Sequence, residues 1–258
     1  MRRRVIGGLC FGLLAVSEPA AAELSASLGL EYFRWKESTT PSVTETGPML
    51  AFGLAYTQEK DGGLLFAYRG RAYFGDVDYQ GAELFTATPV SSTTSYAGIA
   101  NEGQARWRAQ IPGMPDHRVD YVLALGWDTW ERKLGPVQKE DYGIAYLRVG
   151  GEVALKKGER WTVGAGVKYP VFTREDAHMT DIGFDRNPTL KPGGDINPYA
   201  DVSYRFAGKF SVTAYYDGFE FKQSRSEAVT SPASGPVSVF QPPSSMSVIG
   251  LKLEYRLR

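Results

Sequence analysis

Two short acidic motifs hold the residue types that acid–base chemistry requires. Asp76-Val77-Asp78 sets two carboxylates two positions apart, and Asp176-Ala177-His178 sets a carboxylate at the same spacing from one of the chain's 2 histidines. A carboxylate beside an imidazole poises a base near neutral pH, the condition for activating a water. The other histidine, His117, lies between Asp116 and Arg118 and reads as a solvated turn residue. Neither histidine has a serine placed as a local partner, so nothing supports a Ser-His hydrolase. A zinc cluster needs Cys and His ligands grouped together. Here the histidines are far apart, and the single cysteine, Cys10, falls in a segment read below as a removed leader. No metal and no cofactor are expected.

Composition narrows the classes further. Among 258 residues, 29 Lys and Arg balance 29 Asp and Glu, so the basic surface of a nucleic-acid binder is excluded. Disorder is excluded as well, because 13 Phe, 15 Tyr and 5 Trp supply ample apolar surface. Arg2, Arg3 and Arg4, an apolar stretch from Val5 to Val16, and Ala20-Ala21-Ala22 follow one another as the three parts of a secretory signal peptide. The apolar run is shorter than the roughly 20 residues a membrane helix needs. Cys10 lacks the leucine three residues upstream that a lipoprotein cleavage site would carry. Residues 1–22 are therefore expected to be removed, leaving 23–258 as one domain without cysteine and with a net charge near −2. An exported chain without disulfides must be held by other means, and a closed sheet is one.

The elements that would position the motifs are strands. Leu24, Ala26, Leu28, Leu30 and Tyr32 alternate with small or polar residues, as do Leu50, Phe52, Leu54 and Tyr56. Leu64, Phe66, Tyr68 and Phe74 oppose Arg69, Arg71 and Tyr73, and like runs lie near 96–111, 119–131, 142–155, 161–173, 196–206, 210–222 and 246–257. About ten strands of roughly 10–15 residues result, long enough to cross a bilayer at a tilt. The connections alternate. Long ones, rich in Ser, Thr, Pro and Gly, cover about 36–46, 76–95, 131–141, 174–195 and 223–245; short ones lie at 58–63, 112–118, 156–160 and 207–209. Long outer loops alternating with short periplasmic turns mark an all-β, single transmembrane antiparallel up-and-down β-barrel, with both termini in the periplasm.

A soluble β-sandwich or lipocalin-like barrel has the same periodicity with the apolar stripe turned inward. Charge placement favours the membrane form. The polar faces carry long ionisable side chains of both signs, and the expected lumen lining includes Arg69, Arg71, Glu102, Arg106, Arg108, Asp120, Arg148, Glu152, Lys168, Asp201, Arg205, Lys252 and Glu254. Such groups packed in a narrow lumen should pair across it, since an unpaired buried charge is costly. Aromatics near run ends, at Phe33/Trp35, Trp127/Trp130, Trp161, Tyr169/Phe172 and Tyr204/Phe206, read as interfacial girdles.

Two resemblances follow from these residues. Asp76 and Asp78 in the second outer loop, with Asp176 and His178 in the fourth, resemble the paired motifs of the omptins, ten-stranded outer-membrane proteases. That resemblance implies His178 as general base on a water, oriented by Asp176, with Asp76 and Asp78 holding the water opposite. Phe74-Gly75-x-Val77-Asp78-Tyr79-x-Gly81, Thr88-Pro89-Val90, Tyr96-x-Gly98 and Lys168-Tyr169-Pro170 resemble an outer-membrane barrel family of no assigned activity, and imply the fold alone. The Gly250-x-x-Leu253-x-Tyr255 ending is similar to the last strand of such barrels, although an arginine follows Leu257. The reading is an outer-membrane barrel with a structural or narrow-channel role and no catalysis. Its partners are outer-membrane lipid and an extracellular ligand at the long loops; its oligomeric state stays open. An omptin-like endoprotease and an adhesin acting through its loops are the alternatives.

Overall fold

Alternation of apolar and polar residues drives nearly the whole chain into strands, because one face then meets lipid while the other meets a polar interior. A computed structural model describes residues 22–60, 63–82, 88–111, 114–155, 160–231 and 235–257; apart from Ala22, the expected leader lies outside the described residues. The elements run β1 (Ala22–Glu37), β2 (Val43–Glu59), β3 (Leu64–Ala82), β4 (Pro89–Ile111), β5 (Met114–Lys133), β6 (Lys139–Ala154) and β7 (Trp161–Asp176). A 3₁₀ turn (Met179–Ile182) and two short strands, β8 (Thr189–Leu190) and β9 (Gly193–Asp195), follow. Then come β10 (Asn197–Ala207), β11 (Phe210–Lys222), the hairpin β12 (Glu227–Ser231) and β13 (Gly235–Val239), and β14 (Ser244–Arg256).

Ten of these form a closed antiparallel barrel. Neighbours pair in the order β1 to β7, then β10, β11 and β14. The ring closes where β14 pairs with β1, for example Leu253 with Leu28. The exterior carries Leu28, Leu30, Phe52, Leu54, Leu125, Val149, Leu251 and Leu253, all exposed. On β1 this apolar belt runs from Leu24 to Tyr32, on β5 from Tyr121 to Trp127, and on β7 from Trp161 to Phe172. A continuous apolar ring of this kind has lipid as its natural solvent. The end bearing the longer connections is the outer end by the rule for such barrels, and the end with tight turns is periplasmic.

Three of the five expected long loops are mostly strand. β1 and β2 join through residues 38–42, β3 and β4 through 83–88, and β5 and β6 through 134–138. The residues near 76–82 and 88–95 are hairpin arms continuing above the belt; on the β4 arm Ser91, Ser92, Thr93 and Ser95 are exposed while Thr94 is buried, and polar and β-branched residues of this kind keep strand geometry. The two remaining connections fold on one another. Arg186, beyond the 3₁₀ turn, donates to Ala228 O at 2.9 Å and pairs with Glu227 at 3.1 Å, and the Thr230 amide donates to Asp185 at 2.8 Å. His117, expected in a turn, falls within β5; its side chain lies outside the described residues.

One irregularity decides which residues face inward. Opposite Ala145 and Tyr146, β7 carries an extra residue, Val171, because Ala145 pairs with Phe172 and Tyr146 with Pro170. Pro170 lacks the N–H a regular ladder needs, and a bulge is where a sheet accepts a proline. Val171 and Phe172 consequently both point outward, and the alternation shifts phase, so that Thr173 and Glu175 face inward beyond the bulge.

Candidate functional site

The lumen is filled in layers. In its periplasmic half, ion pairs span the interior between strands that are not neighbours. Arg106 on β4 and Arg69 on β3 both pair with Glu152 on β6, at 2.6 and 3.4 Å, and Arg148 on β6 pairs with Glu102 on β4 at 3.6 Å. Lys168 on β7 meets Asp217 on β11 at 2.6 Å, with its ammonium 3.7 Å from the Phe219 ring centroid. Arg71 pairs with Glu31, which also accepts from the Tyr215 hydroxyl, and Lys252 pairs with Glu254 at 3.5 Å. The Tyr73 hydroxyl donates to Asp128 at 2.9 Å. A cavity of about 350 Å³ remains, running from Arg160 and Arg205 at the periplasmic end up to Phe219 and Met246.

Of the residues expected in the lumen, Arg69, Arg71, Glu102, Arg106, Arg148, Glu152, Lys168, Asp201, Arg205, Lys252 and Glu254 all line this cavity. Arg108 stands instead at the periplasmic rim, paired with Glu59 at 2.6 Å and with Asp120 at 3.3 Å.

Above the cavity, buried rings cross the lumen. Phe33 lies against Tyr96 with centroids 4.5 Å apart, Trp130 stacks on Tyr142 at 4.9 Å, and Tyr146 meets Phe219 edge-on at 5.5 Å. Trp35 bridges Tyr142 and Phe221 at 5.6 and 6.1 Å, and Trp130 reaches Phe219 at 6.3 Å. These contacts join β1 to β4 and β6, and β5 to β11, so the layer crosses the lumen. Met49, Val77, Met246 and Val248 fill the gaps between the rings. Phe33, Trp35 and Trp130 were expected in the lipid-facing girdles, and the structure corrects this. They alternate with Tyr32, Arg34 and Thr129 and are almost wholly buried inside, whereas Trp127, Trp161, Tyr169, Phe172 and Phe206 do face outward.

Over the aromatic layer sits a buried charged cluster beyond the outer edge of the belt. Arg132 Nη1 pairs with Glu37 at 3.0 Å and with Glu140 at 2.7 Å, while its Nε and Nη2 both donate to Glu45. Trp35 Nε1 donates to Glu37 at 2.9 Å, Tyr96 to Glu45 at 2.5 Å and Tyr142 to Glu140 at 3.0 Å. Glu175, 2% exposed, projects toward the same group. Burial and the neighbouring carboxylates hold Glu140 and Glu175 above the usual carboxylate range, Glu175 strongly so. None of these five acidic and basic partners was read as functional from the sequence. The signal was the alternation itself, since Glu31, Phe33, Trp35 and Glu37 share the β1 face opposite Leu28, Leu30 and Tyr32.

The omptin-like motifs do not assemble. Asp76 and Asp78 alternate with the inward Val77 and Tyr79 and are exposed on the barrel's outside, where Ser95 donates to Asp76 at 2.6 Å. Asp176 and His178 belong to the opposite side, with β4, β5 and β6 between β3 and β7. His178 turns its imidazole to Asp141, at 2.6 Å from Nε2, and only its backbone N–H donates to Asp176, at 3.2 Å. No water held between the two motifs follows from this arrangement.

No family model and no curated protein matches the sequence. Among solved structures, the chain is similar to the outer membrane protease OmpT from Escherichia coli at 8% identity, covering 91% of this chain and 97% of that one with a TM-score of 0.48. An outer membrane channel from Pseudomonas putida F1 is similar at 9% identity over 95% and 100% of the two chains, with a TM-score of 0.45. Neisserial surface protein A follows at 8% identity over 91% and 97%, with a TM-score of 0.35. The neighbours are outer-membrane barrels of different roles, and at these scores they carry no argument about activity. The chain is a transmembrane β-barrel. Its own lipid-facing belt and closed ring carry that statement.

Proposed function

We propose that this barrel is a non-conducting structural protein of the outer membrane that displays its interlocked outer connections to the exterior. The observation supporting this is the buried aromatic layer holding Phe33, Trp35, Trp130 and Phe219, whose ring contacts reach across the lumen from β1 to β4 and β6 and from β5 to β11. The cavity lining includes Phe219, Met246 and Val248 of that layer, which a solute entering from the periplasmic end would meet. Ion pairing below serves to stiffen the barrel, because mixed charges fixed to one another form no ring of a single sign to select an ion. The omptin-like reading loses support where Asp76 and Asp78 point outward. Residues 1–22 act in this reading as the export signal, cut near Ala22. The β12–β13 hairpin, tied down by Arg186, is the surface offered to an extracellular ligand.

The test is electrical. Refolded wild-type protein in a planar bilayer is expected to be silent, and the double variant Trp130→Ala/Phe219→Ala to show discrete conductance steps. Discrete steps from the wild type would overturn the proposal in favour of a narrow channel.

A further inference from the structure

The cluster above the aromatic layer has more acid than base. Four glutamates, Glu37, Glu45, Glu140 and Glu175, converge on one guanidinium; Glu37, Glu45, Glu175 and Arg132 are more than nine-tenths buried, with Arg132 and Glu175 each 2% exposed and Glu45 fully buried, and the Glu140 side chain is 13% exposed. Three of the carboxylates divide Arg132 among themselves and each accepts a further bond from Trp35, Tyr96 or Tyr142. Glu175 is left over. Its Oε2 is buried and has no hydrogen-bond partner. An ionised carboxylate so placed would be a buried charge without a counter-ion, which proteins avoid by neutralising the group.

We propose that Glu175 is a proton-binding site: the folded barrel holds it as a neutral carboxylic acid at neutral pH, and that proton completes the cluster closing the outer mouth. The groups facing it are Glu37 from β1, Arg132 from β5, and Glu140 and Tyr142 from β6, while β8 sets the buried, apolar Leu190 beside it. Asp141 and His178 pair with each other on the outward side. A metal cation is the other way to offset the charge of Glu175. Among the described residues, however, no group of three or more Asp, Glu, His or Cys side chains is arranged to hold one. A proton needs only the orphan oxygen. The raised position of Glu175 is in keeping with this, since burial and Glu140 both oppose its ionisation.

The sign of the pH effect follows. The folded state binds this proton more tightly than the unfolded chain, so its stabilising contribution is complete in acid and is lost as pH rises through the raised folded value. Two measurements test it on the purified, refolded full barrel. In infrared spectra at pH 7 the wild type should show the carbonyl stretch of a protonated carboxyl, absent from Glu175→Gln. The wild type's unfolding midpoint should fall from neutral to alkaline pH while that of Glu175→Gln stays higher, the two merging in acid. Loss of the infrared band from the wild type on raising the pH tests the site even if the variant fails to fold. A wild type with no such band overturns the proposal. So does a midpoint that rises with added calcium or sodium in the wild type alone, which would assign the site to a metal cation.

Discussion

Arg132 shows how one residue can organise the end of a barrel. From β5 it reaches across to Glu37 on β1 and Glu45 on β2 and sideways to Glu140 on β6, so a single guanidinium ties four strands together. Its planar fork has enough donors for this, which an ammonium does not. Arg132→Met keeps the stem but leaves three buried carboxylates without a cation. Breaking a buried network from one side costs about 3–5 kcal/mol, and denaturant unfolding in detergent should register a loss of that size. At the same scale, parity is what sets the omptin-like motifs apart. Asp76 and Asp78 share the even-numbered face of Phe74, opposite Arg69, Arg71 and Tyr73, so their outward direction was legible once 76–82 was recognised as strand. Asp176 was not legible in this way. By simple alternation it would share the face of Lys168, and only the bulge at Val171 turns it out and brings Glu175 in.

Among the elements, glycine and tyrosine interlock on the inner face. The Tyr146 ring lies where a side chain on Gly126 would begin, as Tyr73 does over Gly98. A Cβ at either position has no room unless the ring moves. Tyr146 in turn contacts Phe219 and the Lys168 ammonium, at 5.5 and 5.0 Å between the relevant centres. Gly126→Val should therefore push Tyr146 out of the aromatic layer, at the cost of about 1–3 kcal/mol typical of overpacking, measured as a lowered unfolding midpoint. Gly103, with nothing near its missing side chain, is the control: Gly103→Ala should leave the midpoint unchanged. The extended arms of β3 and β4 belong to this scale as well. The Ser and Thr residues of the β4 arm looked like loop composition, yet β-branched and hydroxyl side chains suit a strand whose outer face is wet.

At the scale of the molecule, the solvent is what the exterior specifies. Leu28 lies midway along the β1 belt, exposed and paired with Phe52 and Leu253 on its neighbours. Leu28→Arg should cost about 2–4 kcal/mol, as an arginine near the bilayer midplane does. Unfolding from lipid vesicles reads this directly, and a cost near zero would mean that this face does not meet lipid. The strand number, the closed antiparallel order and the identity of most cavity-lining charges, though not Asp128, Arg160 and Asp217, were determined by the sequence alone, because a period of two assigns each residue to one face without knowledge of its neighbours. Which charges pair, which aromatics cross the lumen, and that Glu175 rather than Asp176 faces inward were decided only by the tertiary structure. Those outcomes depend on register across non-neighbouring strands and on a one-residue bulge, and alternation along a single strand carries neither.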